Sequence, residues 1–179
     1  LARIVVIDDG SGEQYQDFFS QIHLMAKVDL LKHARNQGKG AALKTGFKHI
    51  FSHDKYNSVI TADADGQHSV KDILRVADAA EQNPDTLIIG SRRFDKDVPP
   101  RSMFGNTVTR WVLRLFFGVK LWDTQSGLRG IPRSMLPALI EIPYNHYELE
   151  LEMLMVAHRS RITMVEIPIE TIYIENNRS

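Results

Sequence analysis

Asp63 and Asp65 stand two positions apart, with Gly66 and Gln67 directly behind them, at the end of the apolar run 59–62. Two carboxylates and an amide oxygen are hard donors of the type that Mg²⁺ and Mn²⁺ take. A divalent ion there could clamp a diphosphate and neutralise the charge that gathers on it as it leaves. Aspartate also favours turns after strands, so Asp63-Ala64-Asp65-Gly66-Gln67-His68 by itself reads equally well as an ordinary strand-end turn. His68 is expected behind the ligands or in the turn rather than as a ligand.

Gly38-Lys39-Gly40 is a second candidate. It lacks the GxxxxGK[ST] spacing of a nucleotide-triphosphate loop. Its glycines permit a tight entry into a helix, and a helix N-terminus favours anions. Lys39 is readable as a donor-site residue or as part of a loop that only packs nearby.

The elements that must position these residues alternate. Strands are expected over 4–7, 28–31, 59–62 and 86–89, and helices over 13–26 and 41–51. Ser69-Val70-Lys71-Asp72 resembles a capping box and predicts a helix to about Gln82. Strands alternating with helices imply an α/β fold with a mainly parallel sheet covered on both faces. In the second half, apolar residues at helical spacing predict a helix over 104–117. A strand is expected over 126–131 and a helix over 148–158. The alternating stretch 163–174 contains Pro168 and reads as an edge strand or two bent pieces. No repeat or linker divides the chain, which is read as one domain over 1–179. In such sheets ligands bind at the carboxyl ends of the strands, which is where Asp63 and Asp65 fall.

Composition removes several function classes. Lysine plus arginine equals aspartate plus glutamate, 22 each, so the basic excess of a dedicated nucleic-acid binder is absent. With no cysteine there is no disulfide, thiolate nucleophile or cysteine zinc site, and a reducing compartment is the expected setting. No apolar run approaches the roughly 18 residues that span a bilayer. The chain opens Leu1-Ala2-Arg3, without an initiator methionine or a signal peptide, and is expected to be a fragment of a longer protein.

Several segments occur in a fixed order: Ile7-Asp8-Asp9-Gly10-Ser11, Asn36-Gln37-Gly38-Lys39-Gly40, Asp63-Ala64-Asp65-Gly66-Gln67-His68 and Gly90-Ser91-Arg92. Asp123-Thr124-Gln125-Ser126-Gly127-Leu128-Arg129-Gly130, Tyr147-Glu148-Leu149-Glu150 and Glu166-Ile167-Pro168-Ile169 follow. Together they resemble the family 2 glycosyltransferases of GT-A fold, in the branch of dolichyl-phosphate mannose synthase and bacterial polyprenyl-phosphate glycosyltransferases. The resemblance covers nearly the whole chain and implies a three-layer α/β/α fold. It implies an enzyme that takes a sugar from a nucleotide-activated donor, depends on Mg²⁺ or Mn²⁺, inverts the anomeric centre and serves a polyprenyl phosphate or another acceptor.

The match also implies roles by position. Asp63, Asp65 and Gln67 would hold the metal, with Ala64 beside the donor. Asp8 or Asp9 would lie near the base or ribose. Arg92 would approach the donor phosphates, and Arg101 a donor or acceptor phosphate. Asp123 would be the catalytic carboxylate, needed as a base for a hydroxyl acceptor and only to orient groups for an ionised phosphate. Arg129 would brace the site by pairing with an acid. Glu148 would face the acceptor, while Glu150 and Glu152 read equally as a solvated helix face. The family's earlier strand, which ends in a Pro-x-Tyr-Asn-Glu type segment, has no counterpart, so the sheet is expected to lack its first strand. A cytoplasmic setting at the inner face of a membrane is implied, with room for peripheral contact through Arg110 and Arg114 of 104–117. A sugar nucleotidyltransferase and a non-catalytic nucleotide-sugar-binding module remain the alternatives.

Overall fold

The computed structural model describes residues 3–53, 55–92, 121–170 and 172. In chain order the elements are β1 (Ile4–Asp8), α1 (Gln16–His23), β2 (Val28–Lys32), α2 (Lys39–Phe51), β3 (Ser58–Thr61), α3 (Val70–Gln82) and β4 (Thr86–Arg92). After them come β5 (Arg129–Pro132), α4 (Leu136–Ile140), α5 (Glu148–Arg159) and β6 (Thr163–Ile169). The α/β alternation expected from the sequence is present. The expected helix over 104–117 lies outside the described residues.

The chain forms two compact units, one of Leu1–Lys55 with Leu136–Met153, the other of Tyr56–Met135 with Leu154–Ser179. In the first, β1 and β2 pair in parallel from Ile4↔Val28 to Asp8↔Lys32. α2 packs on β1 and on α4. Phe47 of α2 and Leu136 and Leu139 of α4 are buried there. α1 buries no residue fully.

The second unit holds a four-stranded sheet in the order β3-β5-β4-β6. β4 and β6 are parallel, while β5 runs antiparallel to both of its neighbours, β3 and β4. All of β5 is buried, as an inner strand must be. Among the described residues β6 is an edge of this sheet, a position where a proline such as Pro168 is tolerated. The core packs Val76 and Ala80 of α3 against Ile88, Leu128 and Ile169. Burying side chains of this kind supplies about 1.5–3 kcal/mol each.

α3 starts where the sequence pattern places it, and its cap is tighter than a capping box. Ser69 Oγ accepts from Asp72 N at 3.0 Å and donates to Asp72 Oδ2 at 2.8 Å. The buried Asp72 carboxylate also accepts from Arg75 Nη1 at 3.0 Å and from Glu170 N at 3.2 Å, tying the end of β6 to the start of α3. Burial raises the Asp72 carboxyl, but the bonds from Ser69, Glu170 and Arg75 outweigh it, and the group lies below the ordinary 3.8. Its stabilising contribution is therefore complete above that value and is lost as pH falls through the lower folded value. Asp72→Ala should cost about 1–3 kcal/mol at pH 7. Urea titrations should show the gap between wild type and variant closing below pH 3.8; a gap that stays constant to pH 2 refutes the assignment.

Candidate active site

In the first unit, Asp8 ends β1 and is wholly buried. Its Oδ1 accepts from Ser11 N at 2.8 Å, and Lys32 Nζ lies 3.6 Å from Oδ2. Burial raises the Asp8 carboxyl, but hydrogen bonds from Ser11 and the charge of Lys32 pull it below its usual value, so it is ionised at neutral pH. Among the described residues Asp8 Oδ2 and His68 Nδ1 are buried polar atoms without a hydrogen-bond partner. Such atoms are costly in a native protein and point to an absent partner.

Asp9 is placed differently. Its Oδ1 meets His33 Nδ1 at 2.6 Å and accepts from Gln37 N at 3.0 Å; its Oδ2 accepts from Gly38 N at 2.8 Å. His33 Nε2 is 2.9 Å from Thr45 Oγ1. Burial opposes ionisation of Asp9, while His33 and the two backbone N–H groups favour it and prevail. Asp9 is thus a bracket between the end of β2 and the entry to α2. Its carboxylate lies beside the α2 N-terminus, bonded to the N-cap Gly38 and the residue before it.

Gly38 and Gly40 have a packing reason. Gly38 has φ +97°, and a Cβ on Gly40 would lie 2.7 Å from the carbonyl carbon of Asn145. Ala41 N donates to Asn145 O at 3.0 Å, and Lys44 Nζ donates to Ile142 O at 2.8 Å and Asn145 Oδ1 at 2.7 Å. Lys39 pairs with Glu150 at 2.9 Å and lies 5.9 Å from the centre of the Tyr147 ring. Glu150 is buried rather than part of a solvated face; Glu148, at the start of α5, is exposed.

In the second unit the acidic turn follows β3 directly, at the carboxyl end of a strand. The chain reverses at Gly66, φ +79°, and Gln67 N donates to Asp65 Oδ1 at 3.0 Å. Asp65 and Ala64 are exposed, and the Asp63 side chain retains 30% of its surface. His68 is 7% exposed with Nε2 3.8 Å from Asp63 Oδ2. Among the described residues no three His, Cys, Asp or Glu side chains converge on a metal position. Two solvent-accessible carboxylates plus the Gln67 amide do suit an ion whose remaining ligands come from water and substrate phosphates. The donor set therefore fits Mg²⁺ or Mn²⁺.

Asp63 lies flat against Gly127. A Cβ there would sit 2.9 Å from Asp63 Cγ, so a side chain at this position displaces the Asp63 carboxylate. Thr61 Oγ1 donates to Gly127 O at 2.8 Å, fixing the same loop to the end of β3.

The rest of that loop centres on Asp123, whose side chain is wholly buried. Arg92 Nε and Nη2 donate to its two oxygens at 2.6 and 3.1 Å, and Arg92 N and Gln125 N add bonds at 3.2 and 3.0 Å. The residues expected as phosphate contact and catalytic carboxylate are thus one bidentate pair. The Arg92 side chain keeps 23% of its surface. Arg129 braces the loop through bonds to backbone carbonyls that include Nε to Ser126 O and Nη2 to Thr124 O, both 3.0 Å. Glu166 accepts from Trp122 N at 2.9 Å and from Asp123 N at 3.1 Å. Its motif was visible in the sequence, but nothing there marks a carboxylate as an acceptor for loop N–H groups. Arg101 lies outside the described residues.

The sequence matches Glycosyl transferase family 2 over residues 1–136. The chain belongs to this family. It is 30% identical over 191 residues to the UDP-N-acetylglucosamine–dolichyl-phosphate N-acetylglucosaminyltransferase of Methanococcus voltae, covering 97% of this chain and 76% of that protein. It is 31% identical over 193 residues to the dolichyl-phosphate beta-glucosyltransferase of Saccharomyces cerevisiae, covering 93% of this chain and 56% of that one. A solved structure of glucosyl-3-phosphoglycerate synthase from Mycobacterium tuberculosis, in complex with Mn²⁺, UDP and glucosyl-3-phosphoglycerate, matches with TM-score 0.69 at 14% identity. That match covers 98% of this chain and 61% of the solved one, and the fold is the GT-A fold that the sequence motifs imply.

The Gly127 contact gives a direct test. Gly127→Ala must push the Asp63 carboxylate away and should weaken Mn²⁺ binding about 10–100-fold, the cost typical of disturbing a ligand's support. Electron paramagnetic resonance of Mn²⁺ titrations would read this, with circular dichroism as the control for folding. Unchanged Mn²⁺ affinity in a folded variant would remove Asp63 from the ion site.

Proposed function

We propose that this family 2 glycosyltransferase moves a sugar from a nucleoside-diphosphate sugar to a polyprenyl phosphate, with inversion at the anomeric carbon and with Mg²⁺ or Mn²⁺ at Asp63, Asp65 and Gln67. The observation that carries the reading is the exposed acidic turn at the carboxyl end of β3. When bound, the ion supplies charge neutralisation to the departing diphosphate. Arg92 donates hydrogen bonds to the same group, and these strengthen as negative charge builds. Asp8, whose Oδ2 has an ion pair with Lys32 but no hydrogen-bond partner, is assigned to the nucleoside. Asp9 and Lys39 shape the donor side through the α2 entry. Glu148 is assigned to the acceptor and Arg101 to a donor or acceptor phosphate.

The polyprenyl phosphate is favoured for two reasons. The Methanococcus voltae and yeast relatives are named for dolichyl-phosphate acceptors. The Asp123 carboxylate is buried and surrounded by four donors, which suits an acceptor that is already ionised better than a hydroxyl that needs a base. Among the described residues no helix is long and apolar enough to cross a membrane. The proposed lipid substrate would bring the enzyme to the cytoplasmic face of one.

Transfer assays on the full-length enzyme should combine a panel of nucleotide sugars with dolichyl and undecaprenyl phosphate, with and without Mn²⁺. Product should form on the lipid phosphates with inverted configuration by NMR. Replacing both Asp63 and Asp65 by Ala should abolish metal-dependent transfer. Undiminished turnover in that variant overturns the metal assignment, and transfer only to hydroxyl acceptors overturns the acceptor.

A further inference from the structure

We propose that Asp123 serves this reaction as a positioning residue for Arg92, in a loop that Glu166 pins and that Gly127 joins to Asp63. The inference rests on the nucleotide-sugar reading above and assigns residues within it.

A general base needs an accessible lone pair and reach to the proton that it takes. Asp123 has neither. Its side chain is wholly buried. Its two oxygens accept from Arg92 Nε, Nη2 and N and from Gln125 N, which together fill the roughly four acceptor positions of a carboxylate. What the arrangement does is hold a guanidinium. Engaging Arg92 side-on through Nε and Nη2 fixes the plane of the group and turns the Nη1 side away from Asp123. An arginine on a flexible stem would otherwise lose rotamer entropy on meeting a phosphate.

Asp123 can do this only if its own backbone is fixed. Glu166 supplies that anchor, accepting from Trp122 N and Asp123 N at 2.9 and 3.1 Å. Glu166 lies on β6 in register with Ile89 of β4, the strand that ends in Arg92. The other end of the loop is fixed by Thr61 at Gly127, where the Asp63 carboxylate packs. One short loop therefore sets both the arginine and a proposed metal-holding carboxylate.

The test is a double-mutant cycle read by calorimetry on the full-length enzyme, with UDP plus Mn²⁺ and GDP plus Mn²⁺ as probes. If Asp123 acts through Arg92, Asp123→Asn weakens nucleotide binding about tenfold in the wild-type background and not at all in Arg92→Ala. Glu166→Ala reproduces the loss without unpairing a buried charge, so it gives the same reading even where Asp123→Asn does not fold. Glu166→Gln, whose amide oxygen still accepts from the loop, restores much of the affinity. A base role predicts the opposite: unchanged nucleotide affinity with collapsed turnover in Asp123→Asn. A purely structural role predicts equal losses in both backgrounds. Either result, or full affinity in Glu166→Ala, overturns the inference while leaving the donor reading intact. A wild-type enzyme that binds neither probe overturns the donor reading, and the inference with it.

Discussion

The second unit is organised by one antiparallel strand. β5 sits between β3 and β4, with Arg129 level with Thr61 on one side and Ile89 on the other. Because β5 runs against both, its start lies at the carboxyl ends of its neighbours, and the loop that feeds it must arrive there. That is how Gly127 comes to face Asp63 just after β3, and Asp123 to face Arg92 at the end of β4. A parallel strand in the same place would have delivered its preceding loop to the opposite edge of the sheet. The carboxyl edge is where open α/β sheets bind ligands, and here it is built from three chain segments held by backbone pairing.

The carboxylates divide by what surrounds them. Asp9, Asp72 and Asp123 are each met by several donors and hold local structure together. Burying such charges is tolerable only because they are paired and hydrogen-bonded. Asp63 and Asp65 keep access to solvent, and Asp8 keeps an oxygen without a hydrogen-bond partner. Residue type alone does not separate the groups: Asp8 and Asp9 are adjacent, yet Asp8 Oδ2 accepts no hydrogen bond while Asp9 accepts at both oxygens.

This division marks what could be read from the sequence. Strand ends, the Ser69 cap and the edge position of Pro168 follow from local patterns, because turn chemistry, capping and the missing proline N–H act within a few residues. The acidic turn was legible for the same reason. The direction of β5 was not, since the four residues Arg129-Gly130-Ile131-Pro132 carry no local mark of the sense in which they pair. Nor was the Arg92–Asp123 pair, whose members stand 31 positions apart, or the Glu166 anchor, 43 positions from Asp123. Separations of that size are set by sheet order, which no local pattern encodes. The ordered motifs did carry the family, because several weak signals in a fixed sequence multiply in specificity.

The exposed acidic turn has a consequence for how the proposed ion and donor would come together. Asp63, Asp65 and Gln67 would hold such an ion with fewer ligands than Mg²⁺ or Mn²⁺ takes, leaving the rest to water and substrate oxygens. Diphosphate oxygens would be among the further ligands of such an ion, and its charge would offset theirs. Each partner then raises the affinity for the other by the same factor, as linkage requires. Arg92 strengthens this coupling if its orientation is set before the donor arrives, because none of the binding energy is then spent on ordering it. On this proposal the buried Asp123 pair would supply that preorganisation on the protein side, and the open turn would leave the ion to enter with the nucleotide.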